Sequence, residues 1–196
     1  AFAAAHGTWL MQLTDKDEIL PSALPSALAA LRGLTAVCGA FRLVRSAGDT
    51  LDGSVQVYSG AAAYARFGLA YAHPSGCFFR ADVLSDGSVL KELRTLGEVM
   101  RPYSTDYLTS LCLRAGGYAR IDIPFVRHNL PPYGAGRKSV SYVSRKDYYF
   151  TPEFVVREFE AYILFLHGSI HLSPWARARA VAGLVRRSLF PRMTEI

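Results

Sequence analysis

Gly7-Thr8-Trp9-Leu10-Met11-Gln12-Leu13-Thr14-Asp15-Lys16-Asp17-Glu18-Ile19-Leu20-Pro21 is the stretch whose reading decides the fold. A nearly uncharged run over 8–13 has the length and composition of a buried strand. It ends in an acidic Asp-x-Asp cluster, and Pro21 then opens a helix. Carboxylates just beyond the C-terminal end of such a strand are where α/β enzymes place metal and phosphate chemistry. Spacing alone leaves two readings of Asp15 and Asp17 open. They hold a hard cation, Mg²⁺ or Mn²⁺, through oxygen, or they decorate a helix start and complement its dipole for ~0.3–1 kcal/mol.

Working outward, residues 1–5 read as a last helical turn that Gly7 stops in the left-handed conformation. The helix from Pro21 to about Arg32 carries Leu24, Leu28 and Leu31 as an apolar stripe. A second strand is expected over 35–44, then a turn-rich segment over 46–53 and a helix over 61–72. His73-Pro74-Ser75-Gly76 reads as a loop leading into a short element over 77–80. Residues 103–115 have helical periodicity through Tyr107, Leu108, Leu111 and Cys112, closed by Gly116-Gly117, and 118–126 alternates as a third strand. Residues 129–146 are rich in Pro, Gly, Ser, Lys and Arg, the composition of a mobile basic loop. Two helices follow from Pro152, broken near Gly168 and Pro174. The expected divisions are 1–128, a loop over 129–150 and a helical extension over 151–196.

At 196 residues, with 51% hydrophobic and 19% charged residues, the chain can bury one sizeable core, and wholesale disorder is excluded. The net charge of +6 and the pI near 9.4 favour anionic partners: sugar nucleotides, nucleic acid or an acidic membrane surface. Nucleic acid fits least, since no recognition motif accompanies the basic residues. Cys38, Cys77 and Cys112 are odd in number and widely spaced, which suggests reduced, buried thiols and a cytoplasmic setting. No basic segment precedes the apolar first residues, so no secretory signal is read there. The longest apolar run, 161–166, falls far short of the ~20 residues of a membrane span. The chain starts without methionine, at what reads as a helix end, and is expected to be a piece of a longer protein.

Three segments, in order, resemble one family. Residues from Ala3 through the Asp15-Lys16-Asp17 cluster to Pro21 are similar to the DxD region of family-2-type glycosyltransferases with the GT-A fold. His73-Pro-Ser-Gly-Cys-Phe-Phe79-Arg80-Ala-Asp-Val-Leu84 is similar to the family's acceptor-side loop. Ser104-Thr105-Asp106-Tyr107 through Arg114 and Gly117 is similar to its Glu-Asp-x-x-Leu-x-x-Arg segment. The resemblance spans roughly residues 1–126. It implies an α/β fold, a partial GT-A-like mixed sheet flanked by helices, with the C-terminal helices as an extension.

The resemblance also implies roles. Asp15 lies against the nucleotide, Asp17 binds Mg²⁺ or Mn²⁺, and Asp106 is the base that takes the acceptor's proton in an inverting displacement. His73, Phe79 and Arg80 fall on the acceptor side, where a glycan or lipid hydroxyl would enter. The donor would be a nucleoside diphosphate sugar. Three departures stand out: Thr105 replaces the family's usual Glu, Lys16-Asp17-Glu18 replaces its commoner small residue and second Asp, and the strands and helices that grip the base have no counterpart here.

Other residues are weighed directly. His128 follows a predicted strand and precedes the basic loop, which suits a metal or phosphate ligand. Arg127, Arg137 and Lys138 are placed to clamp a diphosphate. Trp9, Phe78 and Phe79 read as core rather than sugar platforms. The last helix carries Arg177, Arg179, Arg186, Arg187 and Arg192 among Trp175, Leu184, Leu189 and Phe190. It either lies on the inner face of an anionic membrane or packs on the domain. A non-catalytic basic module for such surfaces and a degenerate transferase-like fragment are the alternatives to an enzyme.

Overall fold

The structure is a computed structural model that describes residues 7–15, 17–44, 52–70, 73–85, 87–95, 104–129 and 151–189. Its elements are β1 (Trp9–Met11), β2 (Glu18–Ile19), a 3₁₀ turn (Pro21–Ala23), α1 (Leu24–Arg32), β3 (Cys38–Val44), β4 (Val55–Tyr58), α2 (Gly60–Phe67), β5 (Cys77–Arg80), α3 (Ala81–Ser85), α4 (Ser88–Thr95), α5 (Ser104–Cys112), β6 (Tyr118–Arg127), α6 (Pro152–Ser169) and α7 (Pro174–Leu184). A π-helical turn, Val185–Leu189, follows. The class is α/β: a mixed six-stranded sheet in the order β1-β5-β3-β6-β2, with β4 also on β6, flanked by helices.

β3 and β6 pair in parallel, Cys38 opposite Tyr118 and Phe41 opposite Ile121, whereas β5 runs antiparallel to both β1 and β3. Alternation of side chains along these strands builds a core on each face. Cys38, Cys77, Phe79 and Tyr118 point to a core completed by α2, α5, α6 and α7. Phe41, Phe78, Ala119 and Ile121 point to a smaller core under α1. Within β6 the register jumps, so that Leu43 faces Val126. Pro124, which has no N–H to give a ladder, sits in the bulge. The bulge lets β6 change partners, from β4 at Tyr118–Ile121 to β2 at Val126 and Arg127.

The expected strands over 8–13, 35–44 and 118–126 and the helix over 103–115 are all present, with slightly different ends. The helix after Pro21 begins as a 3₁₀ turn, and its buried residue is Ala27. Leu24 and Leu28 stay 43% and 44% exposed, which corrects the expected stripe. Leu28 and Leu31 instead border an open groove of 920 Å³ shared with Trp9, Met11, Phe41, Phe78 and Phe125. Residues 1–6, 45–51 and 130–150, where a helix end, a turn and a basic loop were expected, lie largely or wholly outside the described residues.

Both C-terminal helices begin with capped N-termini: Thr151 accepts from the Phe154 N–H and Ser173 from the Ala176 N–H. The lipid-facing reading of α7 is corrected at Leu184. That side chain is fully buried, as is Ala180, because α7 packs on α2. Gly183 permits the approach; a Cβ there would sit 2.6 Å from that of Ala65. The Arg187 guanidinium then reaches back to donate to the Ala65 carbonyl. All three cysteines are free and buried, and burial pushes the thiols of Cys77 and Cys112 up to about 12. No helix among the described residues is long and apolar enough to cross a membrane.

The β3–β6 contact leaves no room for a side chain at Gly39. A Cβ there would lie 2.1 Å from the Ala119 carbonyl oxygen and 2.6 Å from Phe78 Cζ. Gly39→Ala is expected to lower the unfolding free energy by about 1–3 kcal/mol or more. Gly33→Ala, which meets nothing within 4 Å, should stay within about 0.5 kcal/mol. Urea midpoints of the two variants check the contrast.

Candidate functional site

The topology brings three chain segments to one end of the sheet. β1, β3 and β6 all finish there, while antiparallel β5 starts there. The turn after β1 carries Asp17, the loop before β5 carries His73 and Ser75, and the residue after β6 is His128. Backbone bonds lock the arrangement: the His128 N–H donates to the Val44 carbonyl at 2.8 Å, and the Gly76 N–H to that of Gln12 at 2.9 Å. Gly76 takes a φ of 82°, a left-handed turn that glycine adopts freely.

Asp17 is the hub. Its Oδ1 accepts from His128 Nδ1 at 2.7 Å and from the Asn129 backbone N–H at 3.1 Å; its Oδ2 accepts from the Thr14 hydroxyl at 2.8 Å. His73 Nδ1 lies 3.6 Å from Oδ2. Ser75, itself buried, supports the turn by accepting from the Thr14 N–H at 2.9 Å. Burial pushes the Asp17 carboxyl up, but hydrogen bonds from Ser75, His128, Thr14 and Asn129 outweigh it and hold the group well below the usual carboxylate range. Asp17 is therefore ionised, and an ionised carboxylate only accepts, so His128 Nδ1 carries the shared proton. The two imidazoles lie with centroids 4.2 Å apart. One ligand atom from each of Asp17, His73 and His128 falls within 4.8 Å of the other two. That donor set fits a divalent cation.

Asp106 is at the same end of the sheet, buried in the first turn of α5. Thr105, which stands where the resembled family has Glu, donates to Gln12 Oε1 at 3.1 Å. It thereby ties the start of α5 to the segment that leads to Asp17. The charge of Asp106 acts on Cys77, Tyr118, Tyr162 and Arg187.

Other anticipated residues are placed differently. Asp15 is exposed on the turn, two residues from buried Asp17. Phe79 is wholly buried in the larger core and offers no surface to an acceptor. Arg80 ends β5 opposite Trp9, at the far end from Asp17, and its guanidinium pairs with Asp82 on the rim of the open groove. Arg127 pairs with Glu18, and Arg137 and Lys138 lie outside the described residues. Ser75, Thr14 and Gln12 have no site role in the sequence reading. Their only signal was position, in the strand end and the Gly-containing turn beside the candidate residues.

No protein-family model matches the chain, and no curated protein matches it. Among solved structures it is similar to S. aureus TarS 1-349 in complex with UDP, with a TM-score of 0.59 and 11% identity. The likeness covers 95% of this chain and 48% of that one, so the chain spans about half the length of its structural neighbour. TarS is a glycosyltransferase, and the fold here is glycosyltransferase-like.

The two acids of the Asp-x-Asp cluster should behave differently even without ligands. Asp15→Asn is expected to change stability by less than about 0.5 kcal/mol. Asp17→Asn removes an ionised acceptor from several donors and should cost about 1–3 kcal/mol. Because the folded carboxyl is held below its ordinary range, its stabilisation is present above about pH 4 and is lost as pH falls further. Denaturant titrations at pH 7 and pH 3 in chelator should show the gap between wild type and Asp17→Asn narrowing in acid.

Proposed function

We propose that this chain is the metal-holding, acceptor-side portion of an inverting glycosyltransferase. It moves a sugar from a nucleoside diphosphate donor onto a hydroxyl of a glycan or lipid. The observation that carries this reading is the convergence of ionised Asp17 with His73 and His128 beside the start of α5, on a glycosyltransferase-like fold. UDP in the TarS complex supports a nucleotide-linked donor. A bound dication, Mg²⁺ or Mn²⁺, would offset charge on the departing diphosphate.

The chain's own groups divide the remaining work. Asp17 and His128 hold the cation, and exposed Asp15 faces the nucleotide. Asp106 accepts the proton of the acceptor hydroxyl as that oxygen attacks the anomeric carbon. The Thr105–Gln12 bond fixes this base relative to the Asp17 turn. In the protein that carries this chain, Asp106→Asn should lower transfer by about 10²–10⁴-fold while leaving donor affinity unchanged. Turnover at the wild-type rate would remove Asp106 from the role of base.

A second reading, contact with an anionic membrane surface, is favoured by one patch. Trp175 is 85% exposed on α7, and Arg179 and Arg186 are exposed on the same extension. Sedimentation with phosphatidylserine vesicles should fall for Trp175→Ala and fade with salt. Equal recovery with neutral vesicles would count against it.

A further inference from the structure

We propose that His73 is itself a ligand of the cation, so that one carboxylate and two imidazoles select a transition-series ion (Mn²⁺, Co²⁺ or Zn²⁺) over Mg²⁺. The inference rests on the reading of Asp17 as the metal-holding carboxylate. It moves His73 from the acceptor side, where the sequence resemblance places it, to the metal.

The geometry points this way in three respects. First, the Ser75 backbone N–H donates to His73 Nδ1 at 3.3 Å, a long bond in which this nitrogen is the acceptor. The same nitrogen lies 3.6 Å from Asp17 Oδ2, and a cation held between the two would displace the long Ser75 bond and take the nitrogen's lone pair. Two acceptors at that separation gain when a cation lies between them. The edge of a tetrahedral site with bonds of about 2.1 Å is about 3.4 Å, close to the spacing present.

Second, His128 already donates its Nδ1 proton to Asp17 Oδ1 at 2.7 Å. A cation bound at Asp17 would displace that proton and take the nitrogen in its place, as metal binding to imidazole does. Third, a ring nitrogen of His128 lies within the same 4.8 Å span as the ligand atoms of Asp17 and His73. Imidazole nitrogen suits the later first-row dications. Mg²⁺ favours oxygen in a near-ideal octahedron and keeps its waters. The Asp-x-Asp pair alone leaves Mg²⁺ and Mn²⁺ equally suited; the two histidines break the tie.

The test uses metal alone. Calorimetry gives Mn²⁺ and Mg²⁺ affinities, and visible absorption follows Co²⁺, for wild type, His73→Gln, His73→Cys and Asp17→Asn. Wild type should bind Mn²⁺ at least about tenfold more tightly than Mg²⁺. His73→Gln should lose about tenfold or more in Co²⁺ affinity. Should His73→Gln fail to fold by circular dichroism, His73→Cys decides: loaded with Co²⁺ it should show a near-ultraviolet thiolate-to-cobalt band. Wild type lacks that band because Cys38, Cys77 and Cys112 are buried. Unchanged Co²⁺ affinity in His73→Gln, no such band in His73→Cys, or equal Mg²⁺ and Mn²⁺ affinity overturns the proposal. If Asp17→Asn abolishes binding in those cases, Asp17 keeps its role and only His73 loses its own. Full Co²⁺ affinity in Asp17→Asn, or no dication binding by wild type, overturns both.

Discussion

The parallel pairing of β3 with β6 is the constraint on which the rest of this structure depends. It joins residues about eighty positions apart, Gly39 to Ala119 and Val44 to Arg127, against the entropy of closing so long a loop. Burial on both faces offsets that entropy: Cys38 and Tyr118 enter one core, Phe41 and Ile121 the other. Because the two strands run the same way, Val44 and His128 finish side by side. Antiparallel β5 then turns the loop of His73 and Ser75 back to that end. A site made of residues 17, 73 and 128 is thus a consequence of strand direction. Its members are far apart in sequence.

Electrostatics completes what the topology starts. A carboxylate taken out of water needs donors, and Asp17 receives them from its own turn, from the two residues after β6 and from the loop before β5. The same bonds that make burial tolerable keep the group ionised. An ionised, pre-oriented carboxylate beside two imidazoles suits a cation far better than does solvated Asp15. The far end of the sheet has a different character. There Arg80 is neutralised by Asp82 on the rim of an apolar groove.

How much of this could be read from the chain varies by element. Strands with a strong apolar pattern, and α5 with its periodic Tyr107, Leu108 and Leu111, announce themselves, and the fold class follows from their alternation. β2 does not, because its two residues pair only where the bulge at Pro124 bends β6 towards them. β4, Val55–Tyr58, is short and mostly exposed, so its alternation carried little weight. α4 carries a legible apolar set in Val89, Leu90 and Leu93, which packs into the larger core. The leucine stripe of α1 misled because periodicity reports an apolar face without saying whether anything covers it. At the site, Asp17, His128 and Asp106 were singled out by strand ends and motif resemblance. That His73 faces Asp17 depends on antiparallel β5, which sequence spacing cannot express. Phe79 and Arg80 differ for a similar reason: adjacent residues on a strand point to opposite faces, and neither face there leads to Asp17.

The central claim is that the carboxyl ends of these strands form a metal-dependent donor site centred on Asp17. Anomalous diffraction from crystals soaked in Mn²⁺ tests it most directly. The expected result is one strong peak within about 2.0–2.3 Å of an Asp17 oxygen and of imidazole nitrogens from His73 and His128. A peak confined to exposed acids such as Asp15 or Glu18, with none at Asp17, would contradict the account.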